Sequence, residues 1–292
     1  MKLAQRIIIR YYVNKIRTLA LISPRRAAEE AFRLFCTPYS KRKVHKAPAI
    51  FEKANKLSFA LGQFTINGFR WQPREHANGK KILICHGFDS RSYKFDRYID
   101  PLLNEGFEVL AFDAPAHGTS TGSTVNANQY RDMVLEINNR YGPIDGIMAH
   151  SFGCIAVALA IEQLENNTEK RLVLVAPATE TTRAINTFLS YVPVSLRVRE
   201  EFEKIIEELG GNPASWFSVS RVIQQIKTPT LWAHDQEDPV TPYEDMKHLV
   251  DKNLSHLQFE ITRGLGHSNL YKDSRVAKRI VSFLSELKQK TA

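Results

Sequence analysis

The sequence predicts an α/β fold, in which a mostly parallel sheet is covered by helices on both faces. From Lys80 onward, short continuous apolar runs such as KILIC alternate with segments of helical periodicity, which is typical of parallel strands buried on both sides. The chain has 292 residues, 43% of them hydrophobic and 24% charged, as expected for a globular protein with a sizeable core.

The first 46 residues carry the whole positive excess of the chain. They hold 12 Lys and Arg residues against Glu29 and Glu30, whereas the formal charge of the entire chain is +9. The remainder is therefore close to neutral, and we expect no nucleic-acid partner. Basic residues interrupt every apolar run of this segment, which argues against a spanning helix and against a secretory signal.

The pattern of residues 1–46 predicts a basic amphipathic helical arm. Ile7 and Tyr11 fall near one helical face, and Arg6 and Arg10 fall near another. Two interpretations are open. The arm either lies on an anionic membrane surface, peripheral to its inner face, or packs on its own domain with a solvated basic face.

Two alternating runs, Lys56–Ala60 and Gln63–Trp71, predict antiparallel strands or a hairpin. The parallel series begins with KILIC and continues through FEVLAFDAPAHG, IDGIMAHS, RLVLVAPA, TPTLWAHD and LQFEIT. Helices are predicted near residues 93–105, 126–140 and 274–288.

The alternation of strands and helices stops between Thr181 and Ile226. This stretch has a helix-like pattern of mixed polarity and is too long for an ordinary loop between two strands. The sequence thus divides into an arm (1–46), a core (47–180 and 227–292) and a helical insertion (181–226).

The three cysteines predict neither a disulfide framework nor a metal site. Cys36, Cys85 and Cys154 are odd in number and scattered, which favours a reducing, cytoplasmic compartment. The sequence contains no His-Glu-x-x-His motif and no glycine-rich phosphate loop. We therefore expect no metal and no cofactor.

Ser151 lies where a predicted strand becomes a predicted helix. A serine hydroxyl is a weak nucleophile unless a base removes its proton, and a sharp turn at this point exposes it. Ala149 and Gly153 are the small residues that such a turn requires. The Phe152 amide at the helix start, with that of Phe88 in the loop after KILIC, would form an oxyanion hole. The alternative is an ordinary helix-capping serine.

Two acidic residues and one histidine follow later strands. Asp235 and Asp238 lie in HDQEDPVTP, and His267 lies in RGLGHSNLY. Each follows the carboxyl end of a predicted strand, where open α/β sheets build their sites. The chain order is serine, aspartate, histidine.

Other histidines receive structural interpretations. His150 is predicted to point to the opposite side of its strand from Ser151 and to be a packed neighbour. His86 would orient the loop that contains Phe88, and His117 would hold its own loop by hydrogen bonds.

With these motifs the sequence resembles the α/β-hydrolase superfamily, specifically its lid-bearing serine hydrolases and esterases, over roughly Phe51 to Leu287. The matching motifs are CHGF, DAPAHG (similar to D-x-P-G-H-G), AHSFG, and HDQEDPVTP followed by GLGHS. Ala149 and Ala116 stand where the family usually has glycine. The resemblance implies an eight-stranded, mostly parallel sheet, and it implies that the helical insertion is a small lid.

The resemblance also implies roles for the site residues. Ser151 would be the nucleophile, His267 the general base and then acid, and Asp238 the carboxylate that orients the imidazole. Asp235 is the rival for the last role.

The expected reaction is hydrolysis of a carboxylic ester or thioester of a small to medium apolar molecule. Lysophospholipase, thioesterase and peptidase-like activities are open alternatives, as is a catalytically silent scaffold that binds a ligand or partner. The residues expected to line a substrate pocket, or else only the lid's own core, are Phe188, Tyr191, Trp216 and Phe217.

Overall fold

A computed structural model describes residues 3–39, 46–73 and 75–287, with only the backbone for residues 3–6. The described residues divide into two compact units. The helical unit is drawn from Met1–Thr37 and Glu180–Ser218, and the sheet unit from Pro38–Thr179 and Val219–Ala292. Ser40 to His45, which belong to the predicted arm, lie outside the described residues.

The sheet unit contains an eight-stranded sheet in the order β1-β2-β4-β3-β5-β6-β7-β8. Strands β1 and β2 pair antiparallel, β2 pairs antiparallel with β4, and all other neighbours are parallel. The strands are β1 (Asn55–Leu61), β2 (Phe64–Trp71), β3 (Lys81–Cys85), β4 (Glu108–Phe112), β5 (Gly146–His150), β6 (Arg171–Val175), β7 (Thr230–Asp235) and β8 (Leu257–Thr262).

Continuous apolar runs form the middle of the sheet, because helices cover both of its faces. Every residue of β5 and of β7 is buried, as are the last four residues of β3, β4 and β6. The predicted fold class, a mostly parallel eight-stranded sheet flanked by helices, is confirmed.

The helices of the described residues are α1 (Leu3–Ile22), α2 (Pro24–Phe35), α3 (Ala49–Glu52), α4 (Ile99–Asn104), α5 (Ala127–Tyr141), α6 (Phe152–Gln163), α7 (Thr181–Tyr191), α8 (Leu196–Gly210), α9 (Val219–Gln225), α10 (Glu244–Asp251), α11 (Gly266–Asn269) and α12 (Ser274–Ser285). Short 3-10 helices cover Ser92–Tyr98, Asn167–Glu169, Ala214–Trp216 and Leu270–Lys272.

The helix predicted near residues 93–105 is broken into two pieces. A 3-10 helix that contains a non-helical Phe95 (φ −111°, ψ 18°) precedes α4. Pro101 lies in the first turn of α4, where its missing N–H costs nothing, but it could not continue a helix that began at residue 93. The helix predicted at 126–140 is α5, closed by a reciprocal capping box between Asn126 and Gln129.

The helical unit joins parts of the chain that the sequence analysis treats separately. α2 begins at a Ser23 cap followed by Pro24, and its Phe35 ring lies 5.3 Å from Phe188 of α7 and 5.8 Å from Phe202 of α8, centroid to centroid. The described arm and α7–α8 thus share one core, whereas α9, part of the predicted insertion, belongs to the sheet unit.

The β1–β2 hairpin turns at Gly62, whose φ is +54°. Asn67-Gly68 instead lies within β2, where Gly68 pairs with Phe112 of β4. A Cβ atom at residue 68 would lie 2.1 Å from the Phe112 ring. Residue 68 is therefore glycine because an aromatic ring occupies the space of its side chain.

We predict that Gly68→Ala lowers the free energy of unfolding by about 1 to 3 kcal/mol, because the added methyl must displace the Phe112 ring. Chemical denaturation measures the change. Ser58→Ala, on the exposed face of neighbouring β1, is the control and should change stability by less than about 0.5 kcal/mol. Equal stabilities for the two variants would contradict the prediction.

Candidate active site

The predicted site residues of the sheet unit meet at the carboxyl edge of adjacent parallel strands. Ser151 directly follows β5, Asp235 ends β7 with Asp238 three residues later, and His267 lies in α11, after β8. Because β5 to β8 are neighbours and run in one direction, these residues share one edge of the sheet.

Ser151 has a backbone conformation that non-glycine residues rarely adopt, with φ 53° and ψ −120°. Its N–H donates to the Val175 carbonyl (3.0 Å), and its carbonyl accepts from the amides of Ala178 (3.1 Å) and Cys154 (3.0 Å). These bonds hold a turn whose strain costs on the order of 1–3 kcal/mol. The strand thus reverses into α6 within one residue, leaving the hydroxyl at the turn.

Close backbone packing around this turn explains the small residues. A Cβ at Gly153 would lie 2.6 Å from the His86 carbonyl oxygen, and a Cβ at Gly87 would lie 2.9 Å from the Ser151 Cβ. Ala149 is instead a buried residue of β5, paired with β3 and β6. Alanine at residue 149 is accommodated in the strand, whereas residues 87 and 153 have no room for a methyl group.

A chain of hydrogen bonds joins the three predicted catalytic residues. The Ser151 Oγ lies 3.0 Å from His267 Nε2, and His267 Nδ1 lies 2.8 Å from Asp238 Oδ2. A carboxylate only accepts hydrogen bonds, so Nδ1 carries the hydrogen and Nε2 is left to accept the serine proton. The arrangement can therefore activate the Ser151 hydroxyl.

Asp238 is held as an anion by several donors. Its Oδ1 accepts from the amides of Val240 (2.8 Å) and Thr241 (3.0 Å), and its Oδ2 accepts from the Thr241 hydroxyl (2.8 Å) as well as from His267. Burial alone would raise the pKa of Asp238, but these hydrogen bonds outweigh it and lower the pKa to about 2.

Asp235 bonds to a different set of partners. It accepts from the Thr262 hydroxyl (2.7 Å) and from the amides of Leu265 (3.0 Å) and Glu237 (3.0 Å). It therefore connects the end of β7 to the loop that leads to His267. Asp238 therefore contacts the His267 imidazole, whereas Asp235 holds the loop that precedes His267.

His150 lies closer to His267 than its predicted position on the opposite side of the strand suggests. Its Nε2 donates to the His267 carbonyl at 3.3 Å, its ring centroid lies 4.8 Å from that of His267, and its buried Nδ1 has no partner among the described residues. Burial, and then the neighbouring His267, lower the pKa of His150 to about 3. A neutral His150 thus holds the backbone of His267 through this hydrogen bond.

Two further histidines hold the loop that contains Phe88. His86 Nδ1 donates to the Gly87 carbonyl (2.7 Å), and its Nε2 accepts from the Ala114 amide (3.0 Å). His117 Nε2 accepts from the Asp89 amide at 3.1 Å. The loop is thus bound to both histidines.

The two residues predicted to form the oxyanion hole are neighbours in space. The rings of Phe88 and Phe152 meet edge to face with centroids 5.5 Å apart. Phe152 begins α6, so its amide has no carbonyl partner within the helix. Both side chains are half-buried and stand beside Ser151 in the fold.

The residues predicted to line a pocket lie in the helical unit. The Phe188 ring packs on Phe35, Phe217 is buried, the Trp216 and Phe217 centroids are 5.1 Å apart, and Tyr191 is exposed. Phe188 therefore contributes to the core of the helical unit. Contact of these residues with a substrate stays a prediction.

The sequence analysis misses Thr241. Its hydroxyl lies 2.8 Å from Asp238 Oδ2, 3.2 Å from His267 Nδ1 and 3.3 Å from the Ala176 carbonyl. The available signal was its position three residues after the aspartate, where a side-chain carboxylate commonly accepts a backbone amide.

Among the described residues, no cluster of three or more His, Cys, Asp or Glu residues could hold a metal ion. Cys36, Cys85 and Cys154 are free and buried. Burial raises the pKa of Cys36 and of Cys85 to about 12, so neither thiol is a ready thiolate.

Comparison with known proteins identifies the family. Residues 82–279 match the family described as "Alpha/beta hydrolase family". The chain belongs to this family. It is a hydrolase, and some of the proteins that it resembles are named esterases.

The hydrolase is 22% identical over 264 residues to the uncharacterized protein YqkD of Bacillus subtilis strain 168, a match that covers 82% of this chain and 83% of the relative. It is 22% identical over 184 residues to Esterase YjfP of Escherichia coli strain K12, covering 58% and 72% of the two chains. The solved structure of the Pyrococcus furiosus esterase Pf2001 aligns with a TM-score of 0.61 and 17% identity, covering 87% of this hydrolase and 96% of that chain.

The low pKa of Asp238 predicts that this residue's contribution to the free energy of unfolding depends on pH. A pKa of about 2 in the folded protein, below the ordinary 3.8, means that the unfolded chain binds the proton more tightly. The stabilisation is present above about pH 4 and is lost as the pH falls toward about 2. The difference in unfolding free energy between wild type and Asp238→Asn, measured by denaturation, should shrink over this interval. A constant difference would contradict the prediction.

Proposed function

We propose that this hydrolase cleaves carboxylic esters or thioesters through an acyl-enzyme intermediate on Ser151. The observation that carries the proposal is the hydrogen-bonded chain from Ser151 Oγ through His267 to Asp238, with the serine on a strained turn at the sheet edge. This geometry combines a nucleophile at the sheet edge, a base within reach of its proton, and a carboxylate that orients the base.

In the first half of the reaction, Ser151 Oγ attacks the carbonyl carbon as His267 Nε2 takes its proton. Asp238 stabilises the resulting imidazolium, since it remains anionic at any pH well above about 2. The tetrahedral intermediate collapses when His267 protonates the leaving alcohol or thiol, which leaves the acyl group on Ser151.

In the second half, His267 takes a proton from water, and the resulting hydroxide attacks the acyl carbon. The second tetrahedral intermediate expels the Ser151 oxygen, which regains its proton from His267, and the acid departs. The amides of Phe88 and Phe152 would bind the oxyanion in both intermediates, because they lie on adjacent segments beside the nucleophile.

A substrate with an apolar acyl or alkyl part fits this site. The half-buried rings of Phe88 and Phe152 form an apolar surface next to Ser151. The esterase names of the Escherichia coli and Pyrococcus furiosus proteins support an ester as the substrate.

Labelling with a fluorophosphonate probe tests the nucleophile. We expect the wild type to form a covalent adduct at Ser151, read by intact-mass spectrometry, and to hydrolyse p-nitrophenyl esters. Ser151→Ala should show neither labelling nor turnover above roughly 10⁻⁴ of wild type. A folded wild type that the probe does not label would refute the proposal.

A matched pair of substitutions tests the acid. Asp238→Asn should lower kcat by on the order of 10³–10⁴, because the amide no longer stabilises the imidazolium. Asp235→Asn should mainly lower stability, since Asp235 braces the loop before His267. Ester hydrolysis and thermal unfolding of both variants separate the effects. A larger kcat loss in Asp235→Asn would show that the assignment is wrong.

A further inference from the structure

Helix α1 presents large apolar side chains to solvent. The exposed fraction is between 49% and 89% for each of Ile7, Ile8, Tyr11, Leu21 and Ile22. They account for five of the eleven exposed large apolar side chains among the described residues. We call these five residues the α1 apolar surface. Ile7, Ile8 and Tyr11 lie in the first half of α1, and Leu21 and Ile22 lie at its end. Exposed apolar side chains gathered on one helix are typical of an interaction site.

The α1 apolar surface is not the face that packs within the helical unit. Ile16, on the opposite side of α1 from Ile7, is the one buried residue among positions 7–22 of this helix. Lys15, which lies next to Ile8 around the helix, is 40% exposed and forms an ion pair with Glu30 of α2 at 2.8 Å. The unit's own core thus uses one side of α1 and leaves the apolar surface uncovered within that unit.

Positive charge borders the α1 apolar surface. The 20 residues of α1 include four basic and no acidic side chains. Arg10 and Arg17 lie on one flank of the surface and are exposed, and neither forms an ion pair with a residue that the structure describes. The nearby Glu29 and Glu30 are engaged by other basic residues, in part on α2 itself. The flank therefore carries an uncompensated positive charge.

We propose that the α1 apolar surface binds an anionic membrane, with α1 lying in the plane of the interface. Arg10 and Arg17 would contact lipid phosphates while the apolar side chains enter the boundary between headgroups and acyl chains. The exposed Asn14 and Thr18, which lie along the same surface, remain at headgroup level. No helix of the described chain has the length and apolarity needed to cross a bilayer, so the contact is peripheral.

The combination of charge and apolar exposure decides between the candidate partners. A nucleic acid would attract Arg10 and Arg17 but would leave five apolar side chains in water. A second copy of the chain would cover the apolar side chains but would bring two α1 helices together with no acidic residue on either. An anionic bilayer would contact both the two arginines and the apolar side chains.

Vesicle flotation of the full-length protein tests the proposal. We expect the protein to float with vesicles of phosphatidylcholine and phosphatidylglycerol, to remain unbound with phosphatidylcholine alone, and to be released at high salt. Arg10→Gln with Arg17→Gln should lower the bound fraction at least about tenfold. Ile7→Ser with Ile8→Ser should lower it to a similar extent.

Matched controls come from α8 of the same unit. Leu209→Ser removes a comparably exposed apolar side chain (59%), and Arg197→Gln removes an exposed arginine, so both should bind like wild type. Circular dichroism and unchanged hydrolysis of a water-soluble ester would show that each variant is folded.

Several outcomes would overturn the proposal. They are equal binding to neutral vesicles, no binding by a folded wild type, and binding that the α8 substitutions weaken as much as the α1 substitutions. Self-association lost in Ile7→Ser, without flotation, would identify a second copy as the partner. A DNA mobility shift that needs the two arginines but not Ile7 would identify a nucleic acid.

Discussion

The conformation of Ser151 is the constraint on which the rest of the site depends. A strand that ends at a φ of 53° must reverse within one residue, and the hydroxyl then stands at the sheet edge instead of inside it. The reversal brings the backbones of residues 86–87 and 151–153 so close that Gly87 and Gly153 have no room for a side chain. The same approach places the Phe88 ring against Phe152. The positions of Ser151 and of the two proposed oxyanion donors therefore follow from one turn.

Two buried titratable groups next to His267, Asp238 and His150, differ in charge. Asp238 stays charged because amide, hydroxyl and imidazole donors outweigh the cost of burial. His150 stays neutral because its burial, together with the neighbouring His267, outweighs the stabilisation of a cation by the His267 carbonyl and by Asp238. His267 lies between them, bonded through its side chain to the anion and through its carbonyl to the neutral ring. In the proposed reaction His267 is therefore the group that carries the Ser151 proton to the leaving alcohol or thiol.

The sequence predicts the sheet well, and it also predicts which residues follow the strands at the carboxyl edge, because both depend on local patterns. Continuous apolar runs identify buried parallel strands, and the carboxyl edge then collects the residues that follow them. It does not predict the break at Phe95, the hydroxyl of Thr241, or the shared core of α2 and α8, because each depends on contacts between distant segments. Periodicity places Ile7 and Tyr11 on one face of α1 but cannot say that the packing face is that of Ile16.

The proposed catalytic residues and the proposed membrane-binding surface lie in different units. All three residues of the hydrogen-bonded chain belong to the sheet unit, whereas the α1 apolar surface and its arginines belong to the helical unit. The positive excess of the chain lies in residues 1–46, and four of the basic residues of this segment are on α1. Basic residues that served only solubility would have no reason to gather on the helix with the most exposed apolar side chains. Their coincidence on α1 is what a surface selected for an anionic, apolar interface would show.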